Sequence, residues 1–170
     1  RQITGEQYVT FMRRLMTASR ERAGWRVPWF TAQATYHSES DPADDEFRAR
    51  THAYLKGICD NQDSPTLRVG GVADHVHILC RLSKTLDIAT LIRELKRDSS
   101  KWIKQENPRL ADFHWQQGYG AFSVSPSHVE ALVEYIATQV EHHRQDTFQD
   151  EFRRLCKKYG IEIDERYVWD

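Results

Sequence analysis

The sequence predicts a single α/β domain, and three observations carry the prediction. Its 170 residues suit one domain with enough chain to bury a sizeable core. Strand-patterned and helix-patterned segments take turns along it, the order that builds mixed layers. Its apolar stretch "GVADHVHILC" at 71–80 reads plainly as a strand. A net charge of −1 excludes a globally basic nucleic-acid binder but leaves room for a local basic face. The three cysteines, Cys59, Cys80 and Cys156, are odd in number and far apart, so reduced, buried thiols of a cytosolic protein are expected. No apolar run approaches the roughly 18 residues of a membrane span and no signal-peptide pattern opens the chain, so a soluble, cytoplasmic protein is expected.

Each element follows from its own pattern. Tyr8, Phe11, Met12, Leu15 and Met16 fall at helical spacing and predict a short amphipathic N-terminal helix. An arginine-rich link (Arg20, Arg22, Arg26) follows, broken by Gly24 and Pro28. Residues 29–36, "WFTAQATY", alternate as a strand, and the polar, proline-containing 38–45 should be a loop. Phe47, Thr51, Tyr54 and Ile58 mark the buried stripe of the next helix. Residues 66–72 are a strand, with Gly70-Gly71 bending it or turning it into the next one. Residues 86–105 form a long helix with Ile88, Leu91, Leu95 and Trp102 as its core stripe, and Pro108 closes that region. Residues 113–116 and 121–125 read as two strands around the "GYG" turn at 118–120. No repeat or low-complexity tract interrupts this order.

The strand at 71–80 carries two histidines one residue apart. Strand side chains alternate, so His75, His77 and Leu79 share one face and Val76, Ile78 and Cys80 the other. Two imidazoles about 6.5 Å apart along a strand can converge on one divalent cation. In a chain with eight histidines such a pair also arises by chance, so the spacing alone is weak evidence.

The helix "SPSHVEALVEYIATQVEHHR" opens with Ser127 as its expected N-cap and Glu130 completing a capping box. Val129, Leu132, Val133, Ile136 and Val140 form its stripe. Tyr135 and Gln139 lie together on the flank of that stripe, with His142 nearby. On the residues alone, a phenol at the core edge and a solvated amide are the commoner explanation of this pair. His142 and His143 invite a metal reading, yet adjacent helical side chains diverge.

"DHVHIL", followed far downstream by "WQQGYGAFSVSPSHVEALVEYIATQVEHHR" and "FQDEFRRLCKKYGIEIDERYVW", resembles the single-tyrosine HUH transposases of small bacterial insertion sequences and their REP-associated relatives. The resemblance runs from about residue 51 to 170, roughly 70% of the chain. It implies a mainly antiparallel central sheet of four or five strands with helices packed on it, of the ferredoxin-like HUH endonuclease type. It also implies that His75 and His77 are metal ligands, that Tyr135 matches the nucleophile, and that Gln139 is the third ligand. The implied cofactor is Mg²⁺ or Mn²⁺, which would bind and polarise a scissile phosphate. The implied reaction cleaves and rejoins single-stranded DNA through a 5′-phosphotyrosine link, with hairpin-containing element ends as substrate. A cytoplasmic, nucleoid-associated bacterial homodimer with sites shared between chains is the expected assembly.

On the 86–105 helix, Arg93, Arg97 and Lys104 project from the core stripe; a solvated basic face or phosphate contacts would each explain them, and the resemblance favours phosphates. Trp115, Tyr119 and Phe122 suit either base stacking or core packing. The first fifty residues depart from the family pattern. Residues 1–45 therefore read as a divergent extension with the first strand, and 46–170 as the catalytic domain. That departure keeps a transposition-defective DNA-binding remnant open as an alternative. A rolling-circle nickase is disfavoured, because one tyrosine only is suitably placed and no helicase or origin-binding segment is visible.

Overall fold

Among the described residues five strands form one antiparallel sheet, and a central strand covered on both faces sets the layers around it. The protein is described by a computed structural model at residues 8–11, 30–32, 42–72, 75–115, 119–142, 147–158 and 160–165. The strands are β1 (Tyr8–Phe11), β2 (Phe30–Ala32), β3 (Thr66–Gly71), β4 (Val76–Arg81) and β5 (Ala121–Val124). The helices are α1 (Pro42–Asn61), α2 (Ile88–Glu106), α3 (Val129–Ala137), α4 (Gln139–His142) and α5 (Phe148–Lys158). Strand order is β3-β4-β2-β1-β5, with β1 also pairing β4, and every pairing is antiparallel.

Val76 through Cys80 are all buried, as expected of a strand with helices on both faces. Their side chains divide by alternation. Val76, Ile78 and Cys80 pack with Leu55, Ile58 and Cys59 of α1 and Leu91, Ile92 and Leu95 of α2. Leu79 packs on the opposite face with Phe122 and Val124 of β5, Leu132 and Ile136 of α3, and Phe152 and Cys156 of α5. The molecule is thus three layers: α1 and α2, the sheet, and α3 with α5. Each fully buried Leu or Ile contributes about 1.5–3 kcal/mol by leaving water, so these two clusters hold the layers together. All three cysteines are free and buried within them, as their spacing led us to expect.

Local chemistry explains the element ends. Asp87 caps α2 by accepting from Thr90 N at 2.9 Å. Between α1 and α2, Trp102 stacks on Tyr54 at 4.7 Å and on Phe47 at 5.7 Å, with the Arg50 guanidinium 5.6 Å from its ring.

Several expectations are corrected. Tyr8–Phe11 is a strand and not the start of a helix: over four residues the two periods are hard to separate, and "YVTF" has strong strand propensity. The loop expected through residue 45 ends earlier, because Pro42 opens α1, where a missing N–H costs nothing. Residues 113–115 are not a strand; Phe113 N donates to Leu110 O at 2.9 Å, continuing the tight turn over Pro108–Leu110. The expected strand beyond Ala32 lies outside the described residues. Ser127 does not cap the last helix before residue 140: it sits inside a short 3-10 turn, Pro126–His128, and α3 begins at Val129. Val140 is 53% exposed and not core, because the helix breaks at Thr138 and turns it outward.

Candidate active site

The site begins with β4. His77 lies within the strand and His75 immediately before it, and both are buried on the face that also carries Leu79. Their rings meet edge to face with centroids 4.8 Å apart. Across the sheet, Gly70 of β3 pairs with His77. Having no side chain, Gly70 lets α3 settle directly onto the sheet: a Cβ there would collide with the backbone oxygen of Ile136.

That close approach delivers the residue beside Ile136. Tyr135 is half-buried, with its ring centroid 6.2 Å from that of His77. Three residues on, Thr138 ends α3 by donating its hydroxyl back to Glu134 O at 2.9 Å, a competing bond that bends helices. The chain resumes at once as α4 with Gln139, which is 1% exposed. Its Oε1 lies 3.2 Å from His75 Nε2. A phenol and an amide spaced four apart therefore do face the histidine pair.

A residue that sequence reasoning passed over completes the group. Glu151, on α5, is 2% exposed, and Oε1 accepts a hydrogen bond from the Tyr135 hydroxyl. The same oxygen is 3.4 Å from His77 Nε2, and Oε2 is 4.0 Å from His75 Nε2. Ligating atoms of His75, His77 and Glu151 all lie within 4.8 Å of one another. The signal was present in "FQDEFRRLC": Glu151 falls on the same helical stripe as Phe152 and Leu155, where a carboxylate is out of place unless it has work there.

Burial and the Glu151 carboxylate together push the Tyr135 phenol well above its ordinary range, so in this resting arrangement it is firmly protonated. On α1, burial first, then the charges of Arg48 and Arg68 and the proximity of His75, hold His52 down to about 4. The donor set of imidazole nitrogens, an amide oxygen and a carboxylate suits a hard or borderline divalent cation, and it has no thiolate to favour structural zinc.

Other expected residues lie elsewhere. Arg93, Arg97 and Lys104 are exposed on α2, across the sheet from the histidines. Arg97 pairs with Glu94 at 2.5 Å and Asp98 at 2.7 Å, and Arg93 approaches Glu94 at 3.6 Å. Trp115 packs against the α1–α2 core and donates Nε1–H to Ser99 Oγ at 2.7 Å, Tyr119 packs there too, and Phe122 is buried in the opposite cluster. Core packing accounts for all three. His142 ends α4, and His143 lies outside the described residues.

Comparison with known proteins adds three findings. A family model described as "Transposase IS200 like" matches residues 36–139, more than half of the chain. Several solved structures are similar, two of them as follows. One, from Deinococcus radiodurans and described provisionally as a transposase, is 20% identical over 73% of this chain and 98% of its own, with a TM-score of 0.48. The other, a REP-associated tyrosine transposase bound to a REP hairpin, is 15% identical over 73% of this chain and 74% of its own, also at 0.48. No curated protein matches the chain.

Proposed function

The chain belongs to the IS200-like transposase family, and from that premise we propose that it cleaves and rejoins single-stranded DNA through a covalent link to Tyr135. The observation that carries the reading is the meeting, within one chain, of His75, His77, Gln139 and the Tyr135 hydroxyl around a single buried spot. His75, His77 and Gln139 would hold Mg²⁺ or Mn²⁺, which when bound polarises the scissile phosphate and offsets its charge.

The chain's own residues supply the rest. The Tyr135 oxygen forms a bond to the 5′ phosphorus while the bond from phosphorus to the 3′ oxygen breaks, and that oxygen leaves as a 3′-hydroxyl. Attack by another 3′-hydroxyl reverses the step and releases Tyr135, so rejoining needs no nucleotide cofactor. Glu151 aims the phenol, and α3, seated on Gly70, fixes its distance from the histidines. Arg93, Arg97 and Lys104 are proposed to hold DNA phosphates, with hairpin-containing element ends as substrate. The homodimer is carried over from the family resemblance. In the isolated chain Tyr135 and Gln139 reach that chain's own histidines, so, against the expectation of sites shared between chains, we propose that each chain supplies its own tyrosine.

Labelled single-stranded DNA bearing the hairpin ends, incubated with the protein and Mn²⁺, tests the proposal. A denaturant-resistant adduct should form and should vanish in Tyr135→Phe. Binding with no adduct would leave the DNA-binding remnant as the better account. Mixing Tyr135→Phe with His75→Ala chains should restore no activity; restoration would show that tyrosines are exchanged between chains.

A further inference from the structure

The ligand set proposed above leaves out the buried carboxylate that stands beside it and aims the phenol. Glu151 is 2% exposed, and burying an ionised carboxylate costs several kcal/mol unless positive or hydrogen-bonding groups compensate. Which edge of each imidazole it faces decides what it does there. A carboxylate that only orients a metal-bound histidine takes the N–H on the ring's far side. Glu151 instead faces Nε2 of His77 at 3.4 Å and Nε2 of His75 at 4.0 Å. Gln139 Oε1 faces that same His75 nitrogen at 3.2 Å. The nitrogens, the amide oxygen and the carboxylate therefore converge on one space.

The separations suit an ion in that space. Around an octahedral dication with ligands at about 2.1 Å, neighbouring donors lie about 3 Å apart and opposite donors about 4.2 Å apart. The observed 3.2, 3.4 and 4.0 Å fall in that range, and the ligating atoms of His75, His77 and Glu151 all lie within 4.8 Å of one another.

We propose that Glu151 is a direct ligand of the divalent metal, completing a set of two imidazoles, one amide and one carboxylate. The inference rests on the reading of the histidine pair as a metal centre. The carboxylate supplies the negative charge that two neutral imidazoles and a neutral amide lack, which is what Mg²⁺ and Mn²⁺ prefer in a ligand set. Its remaining lone pairs go on accepting from Tyr135, so the nucleophile hangs from a metal ligand and is carried to the phosphate that the metal binds.

Mn²⁺ titration of the purified full chain without DNA, read by calorimetry and by loss of the free-ion EPR signal, tests this. Wild type should bind, and His75→Ala/His77→Ala should not. Glu151→Gln should weaken Mn²⁺ by at least about tenfold, whereas Tyr135→Phe, which keeps the carboxylate, should bind as wild type does. If Glu151→Gln does not give a folded protein by circular dichroism, Glu151→Asp, which keeps the charge but shortens the reach, should also weaken binding. Wild-type affinity in a folded Glu151 variant, with binding still lost in the double-histidine variant, would overturn the proposal and leave the metal centre standing. Absence of Mn²⁺ binding in the wild type would overturn both.

Discussion

His52 carries the electrostatic environment of this region in its own titration. Its imidazole is held down to about 4, first by burial and then by Arg48, Arg68 and His75. In the unfolded chain it titrates near about 6.5. Between those values the unfolded chain takes up a proton that the folded chain refuses, so stability rises with pH across the window. The contribution is complete above about pH 6.5 and is lost as pH falls toward 4, amounting to about 2 kcal/mol by pH 5. Urea unfolding at about pH 7.5 and about pH 5 measures it, and His52→Gln should shrink the difference between the two by roughly that amount. An unchanged pH dependence would show that His52 is not the group responsible. At this scale the sequence was legible wherever a motif named the residue: the alternation that put His75 and His77 on one face is present, and Tyr135 and Gln139 do turn toward them. Glu151 and His52 escaped because their meaning is tertiary. One acid on an apolar stripe and one histidine in a helix acquire a role only when other elements close over them.

Among the elements, the contact between β3 and α3 governs the geometry most directly. Gly70 stands opposite His77 and under Ile136, so one missing side chain sets the distance between the histidine strand and the tyrosine helix. Gly70→Val should lift α3, cost about 1–3 kcal/mol in overpacking, and reduce adduct formation far more than stability, on the order of 100-fold. Thermal melts beside adduct assays separate the two effects; an adduct yield as high as wild type would show that α3 tolerates the shift. Helices with long, repeated stripes were readable in advance, and α2 runs within one or two residues of its expected bounds. Short segments were not. The four residues of β1 cannot express a period, and the break at Thr138 depends on a side-chain hydroxyl reaching back to Glu134, a local bond that no hydrophobic pattern records.

At the scale of the whole molecule, the family match starts at residue 36, yet two strands precede it. β1 lies between β2 and β5 and is the strand that β5 pairs with. A chain lacking residues 1–32 should therefore lose its cooperative thermal transition, and a melt as sharp as wild type would refute this. The same sheet separates the basic face of α2 from the histidines, so DNA held by both must pass around an edge. Arg93→Ala with Lys104→Ala should weaken hairpin binding and lower the slope of log affinity against log salt by about one per residue, while Arg97→Ala, already paired with Glu94 and Asp98, should do less. An unaltered salt slope would remove α2 from the interface. The groups that converge on the centre are numbered 75, 77, 135, 139 and 151. A ribosome making this chain releases both imidazoles long before the phenol, and the carboxylate last. A copy made no further than residue 134 thus has no tyrosine with which to break a strand, and on the proposed reading the genome encoding it meets an armed enzyme only once residue 151 has emerged.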